Sequence, residues 1–185
     1  EVVTLTKIGG TSAVNTIKFI GPVSAEARVV VNPVGTSATN NYAIGLLGSD
    51  WVTFENIDVV DGGTSTANQI EYGYYLQSFN FLDGAENNTI KNANITLGGG
   101  GTVPGFSHGV LQSTITSARQ ANNNNKYLNL NINSSDRGIG IFGLSAPSLP
   151  MENNIEIANC ILGQTTPLGD NITGTSGSAI GIIVS

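Results

Sequence analysis

Charge is what this chain has least of. Only 11% of its 185 residues are Asp, Glu, Lys or Arg, against the roughly 25% of an ordinary soluble domain. The net charge of −6 and a pI near 4.5, with no cluster of Lys or Arg to neutralise a run of phosphates, exclude nucleic acid as a partner. Long apolar runs are missing as well. No stretch approaches the ~20 residues of a membrane-crossing helix, so no membrane insertion is expected. No signal-peptide pattern opens the chain, since Glu1 leads directly into "EVVTLTKI". Cysteine occurs once, at Cys160, which rules out an internal disulfide framework. It lies in "IEIANCIL" with no histidine or basic neighbour to lower its pKa, and reads as a small core residue rather than a nucleophile. Helix signals are also scarce. Only "SAEARVV" from residue 24 could begin a helical turn, and β-branched valines follow at once.

What fills the chain instead is glycine (24 residues), asparagine, serine and threonine, with 39% apolar residues to build a core. These residues recur in order, and the repeat decides the architecture. A short apolar phrase with a central glycine returns as "YAIGLLGS" at 42, "EYGYYLQS" at 71, "SHGVLQS" at 107, "RGIGIFGLS" at 137 and "SAIGIIVS" at 178. Aligning the apolar pairs puts Gly45, Tyr74, Gly109, Gly140 and Gly181 in one column. A second phrase, "VTFENIDV", "TIKNANIT", "KYLNLNIN" and "IEIANCIL", puts Asn56, Asn92, Asn129 and Asn159 in another, spaced 36, 37 and 30 residues apart. Inside each phrase the period is two, as in strands. Repeats of this length, built from short strands and Gly or Asn turns, predict coils stacked at ~4.8 Å. The fold class is therefore all-β, a single solenoid of parallel strands over residues 1–185. It has about five coils and is roughly 24 Å long at that ~4.8 Å rise. Residues 1–39 form a less regular first coil and 40–185 the regular ones.

Asparagine at the corners has a reason. It tolerates a left-handed backbone and bonds its own neighbourhood, and stacked amides can link along the axis as an asparagine ladder. Asn56, Asn92, Asn129 and Asn159 are thus expected as inward-facing corner residues, and the run "NNNN" at 122–125 as a solvated loop. Together, "NYAIGLLGSDWVTFENIDVVDG" and "IEYGYYLQSFNFLDGAENNTIKNANITL" resemble the right-handed parallel β-helix regions of large secreted surface proteins of Bacteroidota-type bacteria. The coil with its asparagine ladder is similar to that of pectate lyases. The right hand of the helix follows from that resemblance and from general chain chirality. The resemblance implies an exported, adhesive or carbohydrate-contacting module, secreted or at the cell surface and part of a longer protein. Because "SAIGIIVS" reads as the first strand of a further coil, the chain is expected either to be flanked by other segments or to meet copies of itself end to end.

Catalytic candidates are thin. A glycosidase needs paired carboxylates. Glu71 and Arg137 share an expected column, Asp136 adjoins Arg137, and Asp50, Asp58 and Asp61 lie in the first full coil. No coil carries the "DD" or "NTD" of pectin hydrolases, and Arg119 and Arg137, possible lyase bases, lack a calcium-binding cluster of acids. "DGG" at 61 and "DG" at 83 read as turns. His108 falls in the expected column of Ile44, Gly73 and Ile139 and is assigned to the interior, with catalytic and surface placements as alternatives. No catalytic residue, cofactor or metal is therefore expected. A fragment of a polysaccharide lyase or hydrolase remains the alternative function, and a filament subunit a third. Binding has the better case: Tyr72 and Tyr74 are expected to point outward beside Ala43, Ser107, Gly45 and Gly109. They would offer two rings for glycan stacking unless a loop covers them. Trp51 is assigned to packing. The glycosylation patterns at Asn87, Asn94, Asn133 and Asn171 matter only in a eukaryotic source.

Overall fold

A computed structural model describes residues 2–24, 29–35, 41–65, 68–80, 82–98, 107–114, 120–133, 137–143, 152–163 and 180–184. Among them the chain is all-β, with no helix. One six-stranded sheet holds β1 (Val3–Thr6), β4 (Tyr42–Leu47), β7 (Tyr72–Gln77), β10 (His108–Ser113), β13 (Arg137–Phe142) and β16 (Ile180–Val184), in that order. A second holds β2 (Ile17–Ile20), β5 (Val52–Glu55), β8 (Thr89–Lys91), β11 (Lys126–Leu128) and β14 (Glu156–Ala158). The third holds β3 (Val29–Val31), β6 (Ile57–Val60), β9 (Asn94–Thr96), β12 (Asn131–Asn133) and β15 (Ile161–Leu162). Each strand from β1 to β13 pairs in parallel with the strand three later in the chain, as β4 does with β7 and β5 with β8. Three strands make one coil, and about five coils stack into a parallel β-helix.

The core follows from stacking like on like. Ile44, Tyr74, Val110 and Ile139 form one inward file of the first sheet. Phe54, Ile90 and Tyr127 come from the second sheet and Val59, Ile95 and Ile132 from the third, all buried. The first sheet breaks simple alternation. Ala43 and Ile44 are consecutive and both buried, and the pairing skips Gly73 and Gly109. A Cβ at Gly73 would meet the Gly109 carbonyl oxygen at 2.5 Å and Ile95 Cγ2 at 2.6 Å, so this extra inward position accepts only the smallest residues. The expected glycine column is corrected accordingly: Gly45 is in register with Tyr75, Leu111, Gly140 and Ile183, not with Tyr74, Gly109 and Gly181.

The asparagines divide into distinct columns. Asn56, Asn92, Asn129 and Asn159 all adopt left-handed backbones, with φ of 57°, 55°, 54° and 54°, at the corner between the second and third sheets. Asn129 Nδ2 donates to Asn92 Oδ1 at 2.9 Å, while the Asn92 amide donates to Glu55 Oε1 and that of Asn56 to the Gly21 carbonyl. They do not face inward as a set, because Asn129 and Asn159 are exposed. Buried core positions across this corner, such as Phe54 and Ile57 or Tyr127 and Leu130, lie three residues apart with two corner residues between them, of which Asn56 is buried and Asn129 exposed. The run at 122–125 is likewise no solvated loop, since Asn122 and Asn125 are fully buried. At this other corner backbone N–H groups leave the strand ladder and need acceptors. Asn88 Oδ1 accepts from the Val52 N–H at 3.0 Å, and Asn125 Oδ1 accepts from the Asn88 N–H at 2.8 Å, one coil further on.

Candidate functional site

The tyrosines of the repeat separate at β7. Tyr74 points into the core, its hydroxyl donating to the Ile57 carbonyl at 2.9 Å and its ring edge-on to Phe54. It is not a surface ring, and the inward pair at 73 and 74 is the reason. Tyr72 does lie on the outer face, but its neighbours in register are Tyr42 and His108 rather than Ala43 and Ser107. Its ring stacks on Tyr75 at 5.2 Å, and Tyr75 in turn lies 5.5 Å from Tyr42. These three half-buried rings cross two coils. The expected glycine floor exists, though under other residues: a Cβ at Gly45 would touch the Tyr42 ring, and one at Gly140 the His108 ring, each at 2.5 Å. Burial pushes the Tyr75 hydroxyl up to about 12, helped by its tyrosine neighbours, and raises Tyr72 too, with the Glu71 charge adding.

His108 is buried, as expected, but not inside the helix. It pairs in register with Tyr72 and Arg137 and packs between Tyr72 and Phe142, each 5.8 Å away. The break in alternation moves it to the outside. Glu71 therefore precedes the column of Arg137 instead of sharing it; its Oε2 accepts from the Asn41 N–H at 2.7 Å, and burial raises its pKa.

The carboxylates spend themselves on backbone. Asp58 Oδ1 accepts from the Asn94 N–H at 2.6 Å. Asp61 accepts from the N–H groups of Gly63, Ile70 and Gly98, which makes "DGG" the expected turn. Asp50 accepts from the Glu86 N–H at 2.7 Å, and burial, with the charges of Glu86 and Asp83, pushes its pKa up to about 6. Asp83 pairs with Lys7 at 2.6 Å. Among the described residues no group of three His, Cys, Asp or Glu could hold a metal ion. Arg119, Asp136 and Asn171 lie outside the described residues. Cys160 packs against the core half-buried, its thiol raised by that burial.

One surface was missed by sequence reasoning. An open groove of about 530 Å³ runs along the outside of the second sheet, lined by Trp51, Thr53, Asn87, Thr89, Asn124 and Lys126. Thr53, Thr89 and Lys126 lie in register on β5, β8 and β11. Trp51 sits directly before β5, half-buried on this groove rather than in the core. No protein-family model, curated protein or solved structure matches the chain.

Proposed function

We propose that the chain is a non-enzymatic structural and adhesive module of a secreted or cell-surface protein, a β-helical rod that contacts glycans on its outer faces. The observation that carries this reading is the tyrosine stripe of Tyr42, Tyr72 and Tyr75 on the outside of the first sheet. Amphipathic rings of this kind offer a flat face to a sugar and a hydroxyl at its rim. The frame beneath them is stiff: parallel strands pair through every coil, and amide bonds such as Asn129 to Asn92 and Asn131 to Asn94 support its reading as an asparagine ladder. Low overall charge and a close-packed apolar core suit a durable support better than a catalytic cleft. The test is binding to an array of polysaccharides by the intact chain and by Tyr72→Ala and Tyr75→Ala. Binding that both variants lose, with circular dichroism unchanged, supports the reading; binding that both retain removes the stripe from it.

A second reading has its own observation. Phe19, Ile20 and Val30 of the first described coil are exposed, as are Ile161 and Ile182 at the other end of the stack. These are the side chains that a neighbouring coil would cover, from this chain or from a second copy stacked end to end. Light scattering over a concentration series separates the two, since only end-to-end assembly lengthens with concentration.

A further inference from the structure

From the geometry of the groove on the second sheet we infer a second binding site, in which Trp51 stacks on a neutral sugar ring of an oligosaccharide laid along the helix axis. The inference rests on the reading that the rod contacts glycans, but not on the tyrosine stripe. It begins with backbone. Four residues occupy the same corner in successive coils, Trp51, Asn87, Asn124 and Asn154, with φ of 60°, 59°, 58° and 55°. Their N–H groups run in one file: Trp51 donates to the Glu86 carbonyl, Asn87 to Asn123 and Asn124 to Asn153. Asparagine enters the left-handed region readily; a bulky aromatic there is an outlier. Such strain persists where something over-determines it, and it gathers at ligand sites.

What the strain achieves here is visible. It holds the indole half-exposed at the head of a groove instead of releasing it into the core. Among the described residues no hydrogen bond engages the indole N–H and no ring pairs with it. Beyond it the floor is polar and regular. The Thr53 and Thr89 hydroxyls stand one coil apart at ~4.8 Å, flanked by the Asn87 and Asn124 amides. An aromatic face next to hydroxyls and amides of both hydrogen-bonding kinds matches a pyranose, whose ring face is apolar and whose rim is hydroxyl. The charge of the lining selects among sugars. The lining itself carries one cation, Lys126, paired with Glu156 at 2.7 Å, with Lys18 in register beside Thr53 one coil away, and the Thr and Asn groups between them match the hydroxyls of a neutral ring. The volume falls inside the roughly 300–1,000 Å³ of small-molecule sites.

Trp51 is the sole tryptophan of the chain, so its fluorescence reports this site alone. The experiment titrates the intact chain with hexasaccharides of β-1,4-linked glucose, mannose and xylose, and with oligogalacturonate as the charged comparator. Calorimetry runs in parallel on Trp51→Asn and on Tyr75→Ala. Asparagine is the replacement because the three neighbouring coils already carry it at this backbone conformation, so the variant keeps the fold. The expected result is a saturable emission change with at least one neutral hexasaccharide, binding about tenfold or more weaker in Trp51→Asn, and no loss of melting temperature. This signal survives in Tyr75→Ala. If calorimetry detects neutral glycans while emission and the Trp51→Asn affinity stay unchanged, the site is overturned and the glycan reading stands. Binding of oligogalacturonate alone overturns the neutral class. Silence with every glycan, by both methods, overturns the site and the glycan reading together.

Discussion

Truncating Asn88 to alanine tests whether the buried amides or the corner amides hold the coils in place. Asn88 is buried; its Oδ1 accepts from the Val52 N–H at 3.0 Å and its Nδ2 donates to the Ser49 carbonyl at 2.8 Å. Both partners are themselves buried. Alanine leaves one donor and one acceptor in the interior, each costing about 1–3 kcal/mol, so the loss is about 4 kcal/mol. The comparison variant is Asn92→Gly at the other corner. There the side chain is half-exposed and the backbone has φ of 55°, which glycine adopts without strain. Losing its bonds to Asn129 and Glu55 near solvent costs about 1 kcal/mol or less. Urea midpoints followed by circular dichroism measure both, and hydrogen exchange at the Val52 amide localises the effect, since a solenoid can open coil by coil. Equal losses in the two variants, or a loss under about 1 kcal/mol in Asn88→Ala, would refute the assignment of stability to the buried column.

Two other expectations concern protons and packing. Asp50, Glu71 and Glu152 all have carboxyls raised chiefly by burial, Asp50 to about 6. At these three groups the folded chain binds protons more tightly than the unfolded one, so their contribution to stability is greatest below the ordinary carboxylate range and, for Asp50, is lost as pH rises through about 6. Asp50 is half-exposed, and solvent screening reduces its share to about 1 kcal/mol or less. Asp50→Asn keeps an acceptor for the Glu86 N–H and should flatten melting temperature against pH between about 4 and 7; an unchanged slope contradicts the assignment. Gly73→Ala drives a Cβ against the Gly109 carbonyl and Ile95 and should cost about 3 kcal/mol. Gly9→Ala, with nothing within 4 Å, should cost almost nothing in the same thermal melt.

The fold was legible because its two strongest signals are local. Alternation within each phrase gives strands, and asparagine at fixed intervals gives corners; both depend on a few adjacent residues, and the structure places all four corner asparagines in the left-handed region. Register was less legible. Sliding one phrase against another by a residue changes which side chains meet the core. The inward pair in the first sheet causes such a slip for any reader who assumes strict alternation. It carried Tyr74 outward and His108 inward, the reverse of their places. A signal was present: "AI" at 43, "GY" at 73, "GV" at 109 and "GI" at 138 each put a minimal residue before a large one. That is the mark of two consecutive inward positions, one of which has room for almost nothing.

The groove was missed, but the file at its head could have been found by arithmetic. Trp51, Asn87, Asn124 and Asn154 each stand five residues before a corner asparagine: Asn56, Asn92, Asn129 and Asn159. Once the second column is known to be left-handed, the fixed offset places a tryptophan in a file of asparagines. Composition cannot weigh that substitution, because its meaning lies in backbone energy. A residue in this file needs tolerance of positive φ, and three coils carry the side chain that supplies it. One coil carries a side chain that opposes it by about 1–3 kcal/mol. Packing does not account for the exception, since Trp51 is half-exposed and the core files run past it with Val52 and Phe54. The fold covers only part of this strained ring and leaves the rest on the groove. The part left exposed is what the proposed site would use, and the hydroxyl and amide floor beside it sets the chemistry of the partner it would take.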